Sequence, residues 1–455
     1  MQFELERFQL SDAHLGIIFE LLRHTDNVFI VGGAVRDVLG GIKPHDVDVA
    51  TDLRPSDLSC IFGKKAQLTG NRFPTVRVKH QGVEIEVSTF RKEIGNQPGR
   101  KACTPVFSDS IVDDLARRDL TVNALALEVL TGKVFDEFAG AVDLDTKVVR
   151  FVGNPLDRIS EDPIRILRAI RFRARIGGTF APETLKALCS EEARQLFLDL
   201  VPKEQVKAEI LKGLESPAPF STFFTDLLEF GLLGDLFPEF LKAATLDGGK
   251  HHAETVLQHC LLVGDAFKVD DLNDPKDRLA RLAAYLHDYG KPAAFDPETG
   301  RFSGHHAVGA DLVRQLLLSL RFSQDETEFV CKLVQNHMRR PGTLKGVRRL
   351  VFELQDDLTY LLKLFDADSA GNLNPDNRED HDAQTERVRE QIAEVTAVSP
   401  TFLVLNVNGF DLLKTFNLKP GPKVGELLKV AREFVLEDPA LNERSVLLDL
   451  LKAHV

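Results

Sequence analysis

Two adjoining stretches decide how the first part of this chain folds: VGGAVRDVLGG (31–41), then PHDVDVATD (44–52). The apolar run 27–31 reads as a short strand that ends in Gly32 and Gly33, after which a helix begins. Glycines let the backbone approach a ligand closely, and a helix start presents free N–H groups. Arg36 falls in the first turn, where it can reach a triphosphate bidentately. Alone, the two glycines mark only a tight strand-to-helix connection. On an extended strand Asp46 and Asp48 share one face while Val47 and Val49 face the core. Like charges held side by side are costly unless a cation sits between them. Magnesium prefers a few carboxylates plus substrate phosphate oxygens. Two such ions activate an attacking hydroxyl and neutralise a leaving pyrophosphate. A bare Asp-x-Asp would read as a solvated edge strand. The preceding glycine turn and Arg36 reverse that reading and point to a magnesium–triphosphate site.

A third carboxylate is expected on a neighbouring strand. Val83–Thr89 alternates, with Glu84 and Glu86 on one side, so Glu86 is the first choice and Glu84 the alternate. Residues 134–138 and 147–152 are further strand candidates. From about Pro155 the pattern is helical almost throughout, stopped at Gly177-Gly178 and punctuated at Gly231 and Pro238. The expected fold class is α+β: a small mixed α/β head, then a long all-helical body. Residues 372–382, rich in Asn, Asp and Pro, are the best linker candidate. The expected domains are a head at 1–150, a helical neck at 151–245, a helical domain at 246–375 and a helical tail at 376–455.

The chain has 455 residues, of which 28% are charged and 43% hydrophobic, an ordinary composition for a soluble protein. No secretory signal and no membrane span are read from it. The five cysteines are scattered, without a CxxC pair, which suits reduced thiols in a cytosol. The net charge of −12 argues weakly against a nucleic-acid partner. Local charge matters more. Between 150 and 175 there are seven arginines: Arg150, Arg158, Arg165, Arg168, Arg171, Arg173 and Arg175. A second basic cluster, Arg339 to Arg349, reads as a solvated helix face. Asp162, Arg165 and Arg168 are three apart, with Arg171 and Arg175 continuing nearly the same helical face. Asp162 accepts from an exocyclic amine and Arg165 donates to a ring acceptor. Cytosine and adenine both offer that pair, whereas guanine and uracil would leave buried groups unpaired.

These residues carry a family resemblance. The two opening stretches resemble the head motif of class II tRNA nucleotidyltransferases and bacterial poly(A) polymerases. ARRDLTVNALAL (116–127) resembles their second motif, and ISEDPIRILRAIRFRARIG (159–177) the motif after the head. Order and spacing agree as well. The resemblance implies a polymerase-β-like head in which Gly32, Gly33 and Arg36 meet the triphosphate and Asp46 and Asp48 hold magnesium. It implies that Arg118, Asp119 and Asn123 shape the ribose and phosphate pocket. Asp162 and Arg165 would face the base, with Arg168 and Arg171 on the same helix. The polar stretch between Phe90 and Arg117 reads as a mobile loop. In the family a loop here helps switch specificity from cytosine to adenine, and its full length favours complete CCA addition over CC addition.

Seven of the 13 histidines fall between His251 and His337: His251, His252, His259, His287, His305, His306 and His337. The spaced set resembles an HD phosphohydrolase domain. The resemblance puts His259, His287, Asp288 and Asp368 at metal-ligand positions suited to a transition metal. His305 and His337 match positions that accompany a second metal or a phosphate. PGPKVGELL (420–428) resembles a tail stretch that implies RNA contact through Lys419, Lys423 and a helix start. The resulting expectation is a cytoplasmic enzyme adding CCA to tRNA 3′ ends from CTP and ATP, without an obligate protein partner. A poly(A) polymerase or A-adding enzyme on the same scaffold is the runner-up. HD-type hydrolysis of phosphate esters, 2′,3′-cyclic phosphates among them, is the reading from another class.

Overall fold

The computed structural model describes residues 5–44, 46–69, 75–94, 99, 104–249, 253–398 and 400–455. The chain divides into two compact units, Met1–Leu236 and Phe237–Val455.

The first unit is built on a seven-stranded sheet. Its strands are β1 (Val28–Val31), β2 (Asp48–Thr51), β3 (Ala66–Thr69), β4 (Thr75–His80), β5 (Val83–Thr89), β8 (Ala126–Glu128) and β9 (Val134–Phe135). They lie in the order β3-β4-β5-β2-β1-β8-β9. β2 and β5 run parallel and the other neighbours antiparallel, which makes the sheet mixed. Alternation works as expected on β5: Ile85 and Val87 are fully buried while Glu84 and Glu86 are exposed. The strands expected at 134–138 and 147–152 shrink to Val134–Phe135 and Val148–Val149. Asp136 ends the first by accepting from the N–H groups of Gly140 and Ala141, which opens a helix instead. Lys147, at φ 56°, breaks the second on its N-terminal side.

The stretch expected as a loop after Phe90 contains regular structure. β6 (Arg91–Ile94) and β7 (Thr104–Phe107) form an antiparallel pair, and Ile111–Ala116 is helical. Residues 95–98 and 100–103 of the expected loop lie outside the described residues, as do His251 and His252.

Asn154 caps the next helix, Pro155–Glu161, by accepting from Leu156 and Asp157 N–H groups. That helix stops at Asp162, whose backbone is extended, because the following Pro163 disfavours helical geometry. A second helix, Arg165–Ile176, then runs to Gly177 at φ 60°. Asp162 therefore sits at a break and does not share one continuous helical face with Arg168. The expected shared face is interrupted here by Pro163.

The second unit is helical. The expected linker at 372–382 is instead the start of the 24-residue Pro375–Val398 helix. Asn374 accepts from Asp376 N–H, and Pro375 opens the first turn, so the Asn, Asp and Pro content is a helix-start signal. The basic cluster at 339–349 is not simply a solvated face. Lys345 pairs with Glu437 at 2.5 Å, Arg349 pairs with Glu433, and Arg348 donates to the Leu436 and Glu437 carbonyls at 2.8 Å. These contacts tie the Leu344–Leu354 helix to the C-terminal end of Pro422–Glu437, where cations suit the helix dipole. Among the described residues no helix is long and apolar enough to cross a membrane.

Helices Val256–Ala266 and Pro275–Leu286 meet at Gly264, where an added Cβ would lie 2.1 Å from the Tyr285 ring. Tyr285 is fully buried and has no room to move. Gly264→Ala is therefore expected to cost about 1–3 kcal/mol by overpacking, read as a lowered Tm of the second unit.

Candidate active site

β1 ends with Val31 opposite Asp48 at the start of β2, so the Gly32 turn and the carboxylate are neighbours. β2 lies beside β5 with Val49 level with Val87, which brings Asp48 beside Glu86. Asp46 lies before the strand, not on it, so the expected extended pair is modified. The three carboxyls still feel one another. The Asp48 carboxyl is pushed up to about 6 by desolvation first, then by Glu86 and Asp46, with Arg118 opposing. Glu84 points to other partners: Arg77 at 2.8 Å and Lys79 at 3.0 Å.

Gly32 has φ 69°, and a Cβ there would lie 2.6 Å from Arg118 Nη1. The left-handed backbone here requires glycine. Arg118 is held by Asp114 at 3.2 Å and donates to the Asn123 carbonyl at 3.3 Å. Arg36 is buried and already engaged: it donates to Asp37 through Nε at 2.9 Å and Nη2 at 2.7 Å, and to Asn123 Oδ1 through Nη1 at 2.5 Å. It lies over the Phe172 ring.

A cavity of about 340 Å³ opens here. The head contributes Gly32, Gly33, Arg36 and Asp48, then Arg118, Asp119 and Asn123. The following helices contribute Asp162, Arg165 and Arg168. Asp46 and Glu86 flank Asp48 outside this lining. Arg171 is not in the lining either. It lies on the same helix as Arg165, as expected, but is paired with Glu209 at 2.7 Å and lies 4.5 Å over Phe172. Buried Asp119 stays charged: burial disfavours the charge, but Arg168 at 2.8 Å and the Leu120 N–H outweigh it. Arg165 is fixed by Glu161 at 2.6 Å and by the Arg158 and Arg117 carbonyls.

The cavity also takes Arg91, Glu93, Arg117, Glu161 and Phe172, none singled out from sequence. Arg117 and Glu161 stood inside quoted motifs next to residues that were chosen. Arg91 and Glu93 belonged to the stretch read as a loop. The seven-arginine cluster is neutralised internally. Each member has a carboxylate partner: Asp143 and Glu183 for Arg150, Glu161 for Arg158 and Arg165, Asp119 for Arg168, Glu209 for Arg171, Asp226 for Arg173, Asp37 for Arg175.

The second unit assembles the histidine cluster. His287, His305 and His337 each place Nδ1 2.7–2.8 Å from the backbone carbonyl three residues earlier. A carbonyl only accepts, so each Nδ1 carries the proton and each Nε2 offers a lone pair. All three lone pairs aim at Asp288, at 3.2, 3.1 and 3.3 Å. Burial pushes His337 down to about 4, which keeps it neutral. In their neutral forms these Nε2 atoms and the carboxylate are all acceptors, a set that suits a cation, while Asp288 holds the His305 imidazole toward its charged form. His259 Nε2 lies 3.1 Å from Asp368 and its Nδ1 3.1 Å from Glu254, a carboxylate that sequence reading missed. Two three-ligand groups result, His259/His287/Asp288 and Asp288/His305/His337, sharing Asp288. Lys291 reaches the same carboxylate at 2.6 Å.

With both sites described, comparison with known proteins is decisive. The poly A polymerase head domain matches residues 28–150, and the HD domain matches residues 250–371. The A-adding tRNA nucleotidyltransferase of Deinococcus radiodurans is 32% identical over 421 residues, 89% of this chain and 90% of that protein. The chain belongs to the class II tRNA nucleotidyltransferase family. A CCA-adding enzyme of Levilactobacillus brevis is 29% identical over 423 residues, 92% of each chain. The crystal structure of the Bacillus stearothermophilus CCA-adding enzyme in complex with CTP matches with a TM-score of 0.67 at 25% identity, covering 99% and 98% of the two chains. The nucleotidyltransferase head is thus the mixed sheet with its carboxylate end, and the HD domain is the helical histidine cluster.

A raised carboxyl pKa carries a sign. The unfolded chain releases the Asp48 proton near the ordinary value of 3.8 and the folded head only near 6, so charge on Asp48 opposes folding above that window. In metal-free protein at pH 7.5, Asp48→Asn is expected to raise the Tm of the head slightly, for a stability gain of no more than about 1 kcal/mol because the carboxyl is exposed to water. The gain should vanish toward pH 4; a lowered Tm at pH 7.5 would contradict the charge crowding.

Proposed function

We propose that this nucleotidyltransferase is a CCA-adding enzyme that extends tRNA 3′ ends with CTP and ATP. The carrying observation is one cavity lined by a glycine turn, Asp48 and the Asp162/Arg165 pair. The carboxylate cluster fits magnesium: desolvation first, then the neighbouring Glu86 and Asp46, push the Asp48 carboxyl up to about 6. Asp46, Asp48 and Glu86 would hold two magnesium ions, which supply activation of the tRNA hydroxyl and charge neutralisation at the leaving pyrophosphate. The Gly32–Gly33 backbone and Arg118 receive the triphosphate at the helix start. Arg36 orients Asn123, and Asn123 with Asp119 shapes the ribose pocket. Asp162 accepts the exocyclic amine of cytosine or adenine while Arg165, held rigid by Glu161, donates to the ring acceptor. The closing experiment gives purified protein tRNA ending at the discriminator base or at CC, and an unrelated RNA, with CTP and ATP separately and together. Growth by CCA and then arrest is expected. Addition of A alone to the CC end would select the A-adding reading, and long A tails a poly(A) polymerase. Asp48→Ala should lower incorporation at least about 10³-fold; surviving incorporation would sink the central claim.

A second reading has its own observation, the lone pairs converging on Asp288. His259, His287, Asp288 and Asp368 would hold a transition metal, which would polarise a phosphate ester for hydrolysis. Despite burial, Asp368 and Glu254 push His259 up to about 9, so a metal must displace its proton. Metal affinity is therefore expected to rise with pH toward 9, with proton release measured by calorimetry in buffers of different ionisation enthalpy. Phosphatase activity, where found, should survive Asp48→Ala and be lost in His287→Ala.

A further inference from the structure

The HD cavity is not walled by the HD segment alone. Its lining includes Asn377, Asp380 and His381 from the Pro375–Val398 helix, which lies beyond the matched residues 250–371. The three stand at i, i+3 and i+4, so one helical face presents all of them to the cavity. This helix is fixed to the Leu358–Gly371 helix that carries Asp368. Ser369 donates to Asp382 and to the Arg378 carbonyl, and Arg389 pairs with Asp366 at 2.6 Å. The wall is thus held in register with the candidate metal ligands.

Two polar atoms of this wall stand out. Asn377 Nδ2 and His381 Nδ1 are buried without a hydrogen-bond partner among the described residues. Buried polar atoms left unpaired are costly, and here they border a cavity of about 1150 Å³. A phosphate and its metals need far less space, while small-molecule sites commonly span about 300–1,000 Å³. Phe302 and Met338 add an aromatic ring face and an apolar side chain to the lining.

We propose that Asn377 and His381 are specificity-determining residues of the HD site. They hold the nucleoside part of a nucleoside monophosphate whose phosphate lies at the His259, His287, Asp288 and Asp368 cluster. This rests on the HD reading above. A nucleoside offers hydroxyls and base edges that both donate and accept, which matches an amide and an imidazole, and a flat base that suits the Phe302 ring.

The test uses full-length protein loaded with manganese, with inorganic phosphate and adenosine 3′-monophosphate as separate probes. In Asn377→Ala/His381→Ala, bound manganese and phosphate Kd should be unchanged while the Kd for the nucleotide rises about tenfold. The single variants Asn377→Ser and His381→Gln, milder in shape, should each raise it about threefold. An unchanged nucleotide Kd, or equal weakening of phosphate and nucleotide, overturns the wall while leaving the metal site standing. If the unmodified protein takes up no manganese, or loses none on His259→Ala, the HD reading falls and the wall with it.

Discussion

Mutual repulsion among Asp46, Asp48 and Glu86 is the constraint on which the head depends. Strand register imposes it. β2 is held between β1 and β5, so its first residue lies beside both the Gly32 turn and an acidic residue of β5. Valines on the opposite faces of β2 and β5 are fully buried, and they pin the strands against slipping. A slip of one residue would turn the valines outward and the acids inward. Core packing thus holds three acidic groups together, and desolvation with the neighbouring acids pushes the Asp48 carboxyl up.

Around that cluster, charge is organised by pairing. The arginines of residues 150–175 look from the sequence like a surface for a polyanion. In the fold they join elements: Arg168 to Asp119 of the head, Arg175 to Asp37 of the glycine-turn helix, Arg165 to Glu161. An arginine already bound to a carboxylate contributes little net field to an approaching phosphate. Its planar fork instead sets geometry. The negative total of the chain and a nucleic-acid substrate are therefore compatible.

The HD unit applies a different device. Three histidines are each oriented by the backbone carbonyl three residues earlier, and their Nε2 atoms converge on one aspartate. Burial keeps His337 neutral, and the cluster converges on one carboxylate instead of crowding several. The same cavity is completed by a helix outside the HD segment.

Much of this was legible in the sequence because it depended on local rules. Period-two alternation marked β5, glycine pairs marked the turn and the helix stop, and the motifs fixed the order of Asp46, Asp48, Asp119, Asp162 and Arg165. Other features were settled only in three dimensions. Whether Glu84 or Glu86 approaches Asp48 depends on the parallel pairing of β2 with β5, which leaves no trace in either strand alone. Arg171 left the cavity because Glu209, far along the chain, claims it. Residues 372–382 read as a linker because the same polar residues that break chains also cap helices, and only the neighbouring helix decides between them. Residue types and spacing determined which chemical groups this protein has. Tertiary structure decided which groups meet, because burial and pairing act across distances in the chain that no local pattern records.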